Sequence, residues 1–153
     1  YKKDTSFKVF QPANNYITNS YSELDASNSS FTGANRFRGV NAPSGIVCYY
    51  QLPATKETDT VSLTITDSKG NFVRSFSSVP TKKNLDYDGA PPADPLLTKQ
   101  KGLNRFVWDM LYPTMSGVPN VYVEAGYLAH KASPGKYTFT FRVGNQQQQT
   151  TAN

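Results

Sequence analysis

Apolar and polar residues alternate with a period of two along several stretches of this chain. In Val61–Asp67 the apolar residues are separated by Ser and Thr, and in Lys136–Val143 the aromatic residues are separated by Thr. Because successive side chains of a β-strand point to opposite faces, this alternation predicts strands with one buried face. Related patterns predict further strands over Phe7–Pro12, Gly45–Leu52, Phe72–Phe76 and Gly102–Met110.

Turn-forming residues separate the predicted strands. Ser68–Asn71 joins two of them and contains Gly70, which can adopt the positive φ of a hairpin turn. The chain has ten Gly and ten Pro, and no stretch has the apolar spacing of a convincing amphipathic helix. Val121–Glu124 is interpreted either as a short strand or as part of an ordered excursion. These features predict an all-β fold, an antiparallel immunoglobulin- or fibronectin-like β-sandwich of about seven strands with long loops.

The same pattern divides the chain into three parts. Residues 1–30 are predicted to form an irregular lead-in segment that packs on the sandwich, and residues 31–145 to form the sandwich itself. Residues 146–153 are a polar tail without an apolar anchor, which either begins another strand or frays.

Trp108, the only tryptophan, is predicted to anchor the contact between the two sheets. It shares one face of its strand with Phe106, and burial of an indole removes a large apolar area from water. We therefore expect Trp108 to be inaccessible and to face the strands that carry Cys48 and Phe139. The predicted core comprises Cys48, Tyr50, Leu63, Ile65, Phe106, Trp108, Phe139 and Phe141.

The formal charge of +5 does not indicate a nucleic-acid partner. Lys and Arg are spread along the chain in runs no longer than two, whereas a nucleic-acid surface is a clustered stripe. No stretch approaches the ~20 apolar residues of a membrane span, so no span is predicted. The only cysteine, Cys48, is interpreted as a small buried residue; a nucleophilic pair with His130, the only histidine, is the less favoured alternative.

One loop suggests a metal site. Asp86, Asp88 and Gly89 are similar to part of a calcium loop, in which a bend at Gly gathers several oxygen ligands. The other positions of a twelve-residue calcium loop, including its final Glu, are absent. A proline-rich connection is the preferred interpretation, with Asp86 and Asp88 kept as weak metal candidates and no cofactor expected.

Four motifs occur in an order that resembles a known family. They are Asn41–Tyr50, Val61–Asp67 with its Lys69-Gly70 turn, Gly102–Met110 and Pro134–Phe139. Together they resemble the C-terminal immunoglobulin-like domain of exported bacterial proteins with a sortilin-type, BNR-repeat β-propeller, often labelled glycosyl-hydrolase-like. They are similar, more distantly, to the Ig-like domain of flagellar hook-capping proteins. The resemblance covers roughly residues 31–143 and does not include the propeller.

The resemblance implies a non-catalytic accessory or interaction module that packs against, or presents, a neighbouring domain. The implied partner is a propeller domain of the same chain, with a glycan or another protein as further partner classes. The implied location is periplasmic, cell-surface or secreted, in a bacterium. No catalysis is expected in these residues, because the carboxyls of Asp109 and Glu124 fall in no recognisable catalytic pattern.

Carbohydrate binding is the alternative function. Sugar rings stack on exposed aromatic rings, and the chain has ten Tyr. The same residues fit a second interpretation, in which loop tyrosines cover the edges of the core and donate their hydroxyls to the backbone. The candidate sugar-binding residues are Tyr49, Tyr87, Tyr112, Tyr122 and Tyr127.

Overall fold

The structure is a computed structural model that describes residues 6–16, 45–54, 59–80, 87, 89–124 and 126–153. Within these ranges the chain forms strands and loops and no helix. The strands are β1 (Lys8–Val9), β2 (Ile46–Leu52), β3 (Val61–Thr66), β4 (Phe72–Ser77), β5 (Gly102–Trp108), β6 (Tyr137–Val143) and β7 (Gln146–Ala152).

The strands form two antiparallel sheets. A three-stranded sheet has the order β1-β2-β5, and a four-stranded sheet has the order β4-β3-β6-β7. Aromatic rings from the two sheets contact each other: the ring centroids of Tyr50 and Phe141 are 5.0 Å apart, and those of Phe76 and Phe106 are 4.7 Å apart. The architecture is therefore sandwich-like, with a core between two facing sheets.

The alternation in the sequence produces the buried face of each sheet. In β2, β3 and β6 every second side chain is buried, as the period-two pattern predicts. The predicted hairpin is confirmed, since β3 and β4 pair antiparallel and Gly70 has a φ of 81°. The Asp67 carboxylate closes this turn by accepting hydrogen bonds from the backbone N–H groups of Lys69 and Asn71.

The predicted core is confirmed. All eight residues named from the sequence are buried, and Trp108 has no exposed surface. Its indole packs edge-on against Tyr137 and Phe139 of the facing sheet, with ring centroids 5.2 Å and 5.8 Å away. The expectation that Trp108 faces the strand of Cys48 is wrong, because that strand, β2, lies beside β5 in the same sheet, with Cys48 opposite Phe106.

Both chain segments outside the predicted sandwich contribute to the sheets. The tail does not fray, because Gln146–Ala152 pairs with β6 along its whole length. The sheet therefore continues past the boundary that we predicted at residue 145. In the lead-in segment, Lys8–Val9 pairs with β2 and Phe7 is buried in the core. Of the two interpretations of Val121–Glu124, the short strand is not formed, and these residues belong to the loop between β5 and β6, as the alternative of an ordered excursion has it.

Arg74 closes the sandwich where β4 and β5 face each other, which we call the β4–β5 side. A register shift between Ile65 and Thr66 accompanies the burial of two consecutive residues, Val73 and Arg74, on β4. The buried guanidinium donates from Nη2 to Asp94 Oδ1 over 2.8 Å, and from Nη1 to the Leu111 carbonyl over 3.1 Å. Arg74 thus joins a strand to two loops.

Gln148 closes the opposite side, where the edge strands β1 and β7 meet, which we call the β1–β7 side. Its Oε1 accepts a hydrogen bond from the Val9 N–H over 2.8 Å, and its Nε2 donates to the Phe7 carbonyl over 2.8 Å. The side-chain amide therefore bonds to β1 as the peptide group of a neighbouring strand would.

Candidate functional site

The longest described connection between two strands lies between β5 and β6 and is built as a paired loop. We call residues 111–131 the excursion. At its base the Ala132 N–H donates to the Met110 carbonyl over 2.6 Å, and the Tyr112 N–H to the His130 carbonyl over 3.1 Å. Further out, the Met115 N–H donates to the Tyr127 carbonyl over 3.0 Å. The two arms therefore hold each other through backbone hydrogen bonds.

Two turns close the outer part of the excursion. The Val121 N–H donates to the Val118 carbonyl over 3.1 Å, and the Gly126 N–H to the Val123 carbonyl over 2.9 Å. Asn120 has a φ of 62°, a conformation that Asn tolerates better than most residues. Pro119 precedes it and has no N–H to donate to a ladder. Turn geometry therefore makes Val121–Glu124 part of an ordered excursion, which was the alternative to a short strand.

Two tyrosine hydroxyls support these turns from inside. Tyr87 donates its hydroxyl to the Val118 carbonyl over 2.7 Å, and Tyr127 donates to the Val121 carbonyl over 2.9 Å. The two hydroxyl oxygens are 3.5 Å apart. The hydrogen bond with Tyr127, followed by desolvation, raises the pKa of Tyr87 to about 12. The Tyr87 hydroxyl therefore stays protonated at neutral pH, and both hydroxyls hold the loop in place through their hydrogen bonds to backbone carbonyls.

Tyr122 is the third tyrosine near these two turns. Its ring lies so close to Gly89 that a Cβ atom at that position would overlap it. Gly89 also has a φ of 77°, which disfavours any larger residue. The excursion is therefore packed against Gly89, although the Tyr122 side chain remains 66% exposed.

The excursion presents a group of exposed apolar side chains. Exposed large apolar residues occur singly on most surfaces, but here they occur together on one hydrogen-bonded loop. The loop leaves the sandwich after Trp108 and returns before Tyr137, so these side chains are carried by a loop rooted at one end of the sandwich. They are Met115, Val118, Val121, Tyr122 and Leu128, with exposed fractions between 43% and 66%.

The structure separates the five tyrosines that the sequence proposed for sugar binding. Tyr87 and Tyr127 meet through their hydroxyls, with Tyr127 buried, whereas the Tyr122 ring lies beside Gly89. Tyr112 is half-buried at the base and stacks on His130, with ring centroids 4.4 Å apart. Tyr49 is 41% exposed and projects from β2, on the outer face of the three-stranded sheet. Of the five, only Tyr49 and Tyr122 are exposed, and they belong to different surfaces.

The side chains considered for catalysis are in different parts of the structure, or they are buried or hydrogen-bonded to other groups. Cys48 is fully buried, and burial raises the pKa of its thiol to about 12, so it stays protonated at neutral pH. His130 is at the exposed base of the excursion. Asp109 accepts hydrogen bonds from the Leu111 N–H, over 3.0 Å, and from Arg74. Glu124 is exposed in the outer part of the excursion.

Metal binding has no support within the described ranges, where no three His, Cys, Asp or Glu side chains come together. The weak candidates Asp86 and Asp88 lie outside the described residues. A polar cleft does open at the start of β7, but its lining offers neutral amides and a hydroxyl. The residues that line it are Ser6, Phe7, Gln146, Gln147 and Gln148.

Sequence reasoning missed most of the excursion's apolar residues. Met115, Val118 and Leu128 stand alone among Pro, Gly and polar residues, so they follow no period that predicts a buried or a functional face. The segment contains several large apolar residues but no predicted core residue, and that combination could have indicated that they are exposed.

Comparisons of the chain with protein-family models, with curated proteins and with solved structures find no match. In the part of the chain that the structure describes, no helix is long and apolar enough to cross a membrane.

Proposed function

We propose that this chain is a non-catalytic interaction module, and that the excursion is the surface through which it contacts a neighbouring protein domain. One observation carries the proposal: five large apolar side chains are exposed on a loop whose backbone is held by its own hydrogen bonds. A surface that is already ordered loses little conformational entropy on binding, so more of its apolar burial contributes to affinity.

The strand order supports a fibronectin-like version of the sandwich for this module. A three-stranded sheet of the first, second and fifth strands faces a four-stranded sheet of the fourth, third, sixth and seventh strands. Such sandwiches present loops at their two ends, where binding sites occur in many cell-surface domains. The excursion belongs to one of these ends. The resemblance to domains that accompany a BNR-repeat propeller makes a propeller of the same chain, in an exported bacterial protein, the proposed neighbour.

Site-specific photo-crosslinking in the native full-length protein, expressed in its own cells, tests this function. We expect p-benzoylphenylalanine at Leu128 to give one discrete product on irradiation, mapping to one peptide of a neighbouring domain. The matched control carries the same group at Val79, which is 45% exposed and follows β4 at the opposite end of the sandwich.

The comparison of positions 128 and 79 tests whether the excursion is a contact site. No product from position 128, or an equal spread of products from both positions, would count against the excursion as a contact site. When the protein that carries p-benzoylphenylalanine at position 128 also carries Met115→Ser and Val118→Ser, we expect most of the crosslinked product to be lost. These side chains are exposed, so this double variant should fold normally.

Carbohydrate binding remains the alternative proposal, with less support. Stacking on a sugar needs exposed rings, and the two exposed candidates, Tyr49 and Tyr122, are on different surfaces. The tyrosines that do come together, Tyr87 and Tyr127, use their hydroxyls on backbone carbonyls. A glycan-affinity gel tests the alternative: retardation that Tyr122→Ala abolishes would place sugar binding ahead of protein contact.

A further inference from the structure

The outer face of the three-stranded sheet is a second unusual surface, separate from the excursion. Cross-strand pairing places Gln51 between Lys8 and Leu103, and Tyr49 opposite Arg105. The Phe10 N–H donates to the Tyr49 carbonyl, which continues this second row onto the first strand. The outward-pointing residues are Lys8, Phe10, Val47, Tyr49, Gln51, Leu103, Arg105 and Val107.

This face is apolar at its centre, unlike the outer face of the other sheet. Tyr49 and Leu103 are 41% and 64% exposed, and Val47 and Val107 are half-buried beside each other. The outer face of the four-stranded sheet instead carries Phe72 and two serines on its edge strand β4, and on its other three strands it points hydroxyls, amides and one arginine outwards. These are Ser62, Thr64, Thr66, Thr138, Thr140, Arg142, Gln147, Gln149 and Thr151.

Two cations flank the apolar centre, and none of the outward-pointing residues on this face is acidic. Among the described residues the ion pairs are those of Arg74, so neither Lys8 nor Arg105 has a carboxylate partner there. The Lys8 ammonium lies 5.5 Å from the centroid of the Phe10 ring. Lys8 and Arg105 are two strands apart and offset by two residues, which separates their Cα atoms by about 12 Å.

We propose that this face binds an extended acidic polypeptide segment of the pattern acid, any residue, apolar, any residue, acid. In an extended chain, side chains at positions one, three and five point the same way, and the first and fifth are about 13 Å apart. That separation matches the distance from Lys8 to Arg105. The middle apolar side chain then rests on Tyr49 and Leu103, while the two carboxylates meet the two cations.

The composition of the face favours a polypeptide over a single-stranded nucleic acid. Nucleic-acid platforms stack successive bases on several exposed aromatic rings. Here the centre is largely aliphatic, the ring of Phe10 lies under the Lys8 ammonium, and Tyr49 is the one ring left exposed. Aliphatic side chains bury well against other aliphatic side chains, but they offer bases no π-face.

Titration with two capped peptides, followed by two-dimensional NMR of the ¹⁵N-labelled chain, tests the proposal. One peptide contains Glu-Thr-Val-Thr-Glu, and its twin has Gln in place of both Glu. We expect saturable shifts at amides of β2 and β5, with the acidic peptide binding about tenfold tighter than its twin. Arg105→Gln and Lys8→Gln should each weaken the acidic peptide about threefold and leave the twin unchanged.

Matched controls separate this surface from the rest of the molecule. Arg142→Gln removes an exposed cation from the outer face of the other sheet and should change neither peptide's affinity. Leu103→Ser should weaken both peptides, because it removes the shared apolar contact. Lys8 lies on a two-residue edge strand, so Lys8→Gln gives a folded test even where a β5 variant fails to fold.

The inference is overturned by equal affinity for the two peptides, or by the absence of shifts in β2 and β5. It is also overturned by larger shifts at the same amides with oligothymidylate, or with vesicles of phosphatidylglycerol, because these ligands share only the negative charge. All of these variants lie outside residues 111–131, so the result is independent of the fate of the excursion.

Discussion

The two sides of the sandwich are closed by different chemistry. On the β4–β5 side a buried guanidinium, Arg74, lies between two carboxylates and also contacts the ring of Phe76, 4.8 Å from its centroid. On the β1–β7 side a neutral amide, Gln148, forms two hydrogen bonds to the backbone of β1. Each side chain spans the gap between two sheets that share no backbone ladder.

The difference concerns how much of the fold depends on one side chain. Arg74 connects β4 to the loop that holds Asp94 and to the start of the excursion at Leu111. The Leu111 carbonyl also accepts a hydrogen bond from the Trp108 indole, over 3.2 Å. Gln148 holds only a strand of two residues. We therefore expect that substitution of Arg74 destabilises the whole fold, whereas substitution of Gln148 loosens only β1.

Arg74→Met should have the largest effect of the variants that compare the two sides. The apolar side chain fills similar space, but the Leu111 carbonyl and the two carboxylates lose the guanidinium donor, while Leu111 keeps the Trp108 indole and Asp109 keeps the Leu111 N–H. Because Asp94 and Asp109 are partly exposed and can be solvated again, we expect a loss of about 3 kcal/mol in the free energy of unfolding, at the lower limit for breaking a buried pair. Urea denaturation measures this.

The matched control for that variant is Arg142→Met on β6. Arg142 is exposed and donates to Gln147 Oε1 over 2.9 Å, so its loss should change the free energy of unfolding by less than about 0.5 kcal/mol. Equal losses for the two arginines would show that burial of Arg74 has no special role.

Gln148→Ala should have an intermediate effect. It leaves the Val9 N–H and the Phe7 carbonyl without their partners, which we expect to lower the free energy of unfolding by about 1–2 kcal/mol. Faster amide exchange at Val9, with unchanged exchange in β3 and β6, would show that the loss is local. Gln149→Ala is the control, because Gln149 is exposed and donates only to Thr140 Oγ1. A loss of protection throughout both sheets would contradict the local role.

Asp94→Asn, combined with Arg74→Met in a double-mutant cycle, should reveal the smallest energy. The Arg74–Asp94 pair is 2.8 Å long, but one-third of the Asp94 side chain is exposed, so water screens it. We expect a coupling energy of about 0.5–1 kcal/mol that decreases in high salt. A coupling several times larger would contradict this screening and would mean that the ion pair, rather than the neutral hydrogen bonds and packing, dominates the β4–β5 side.

The sequence predicted the elements whose side chains obey a simple period. β3 and β6 alternate largely between apolar and hydroxyl residues, and that pattern alone predicts both the strand and its buried face. β7 could not be predicted in the same way, because Gln and Thr occupy both of its faces and its buried apolar residue, Ala152, comes at the end. Its strand character depends on pairing with β6, which is a tertiary interaction.

The residues that close the two sides were beyond a periodic rule for related reasons. Arg74 is on a predicted strand, but strict alternation places it on the face opposite Val73, and both residues are buried beside the register shift. Gln148 lies on the inner face opposite Phe141, where apolar residues are the norm. For the excursion, the sequence indicated a loop rich in Pro and Tyr, but not which tyrosines would be inside it.

Because the thiol of Cys48 is buried, the rate at which it is labelled reports how often the protein opens around it. A reagent such as a maleimide reacts with thiolate, and the closed protein presents neither thiolate nor access to sulfur. Labelling must then wait until β2 separates from the facing sheet, and with a single cysteine there is one site to count. The rate of mass increase in an unmodified sample therefore reads out how often β2 separates from the facing sheet under native conditions.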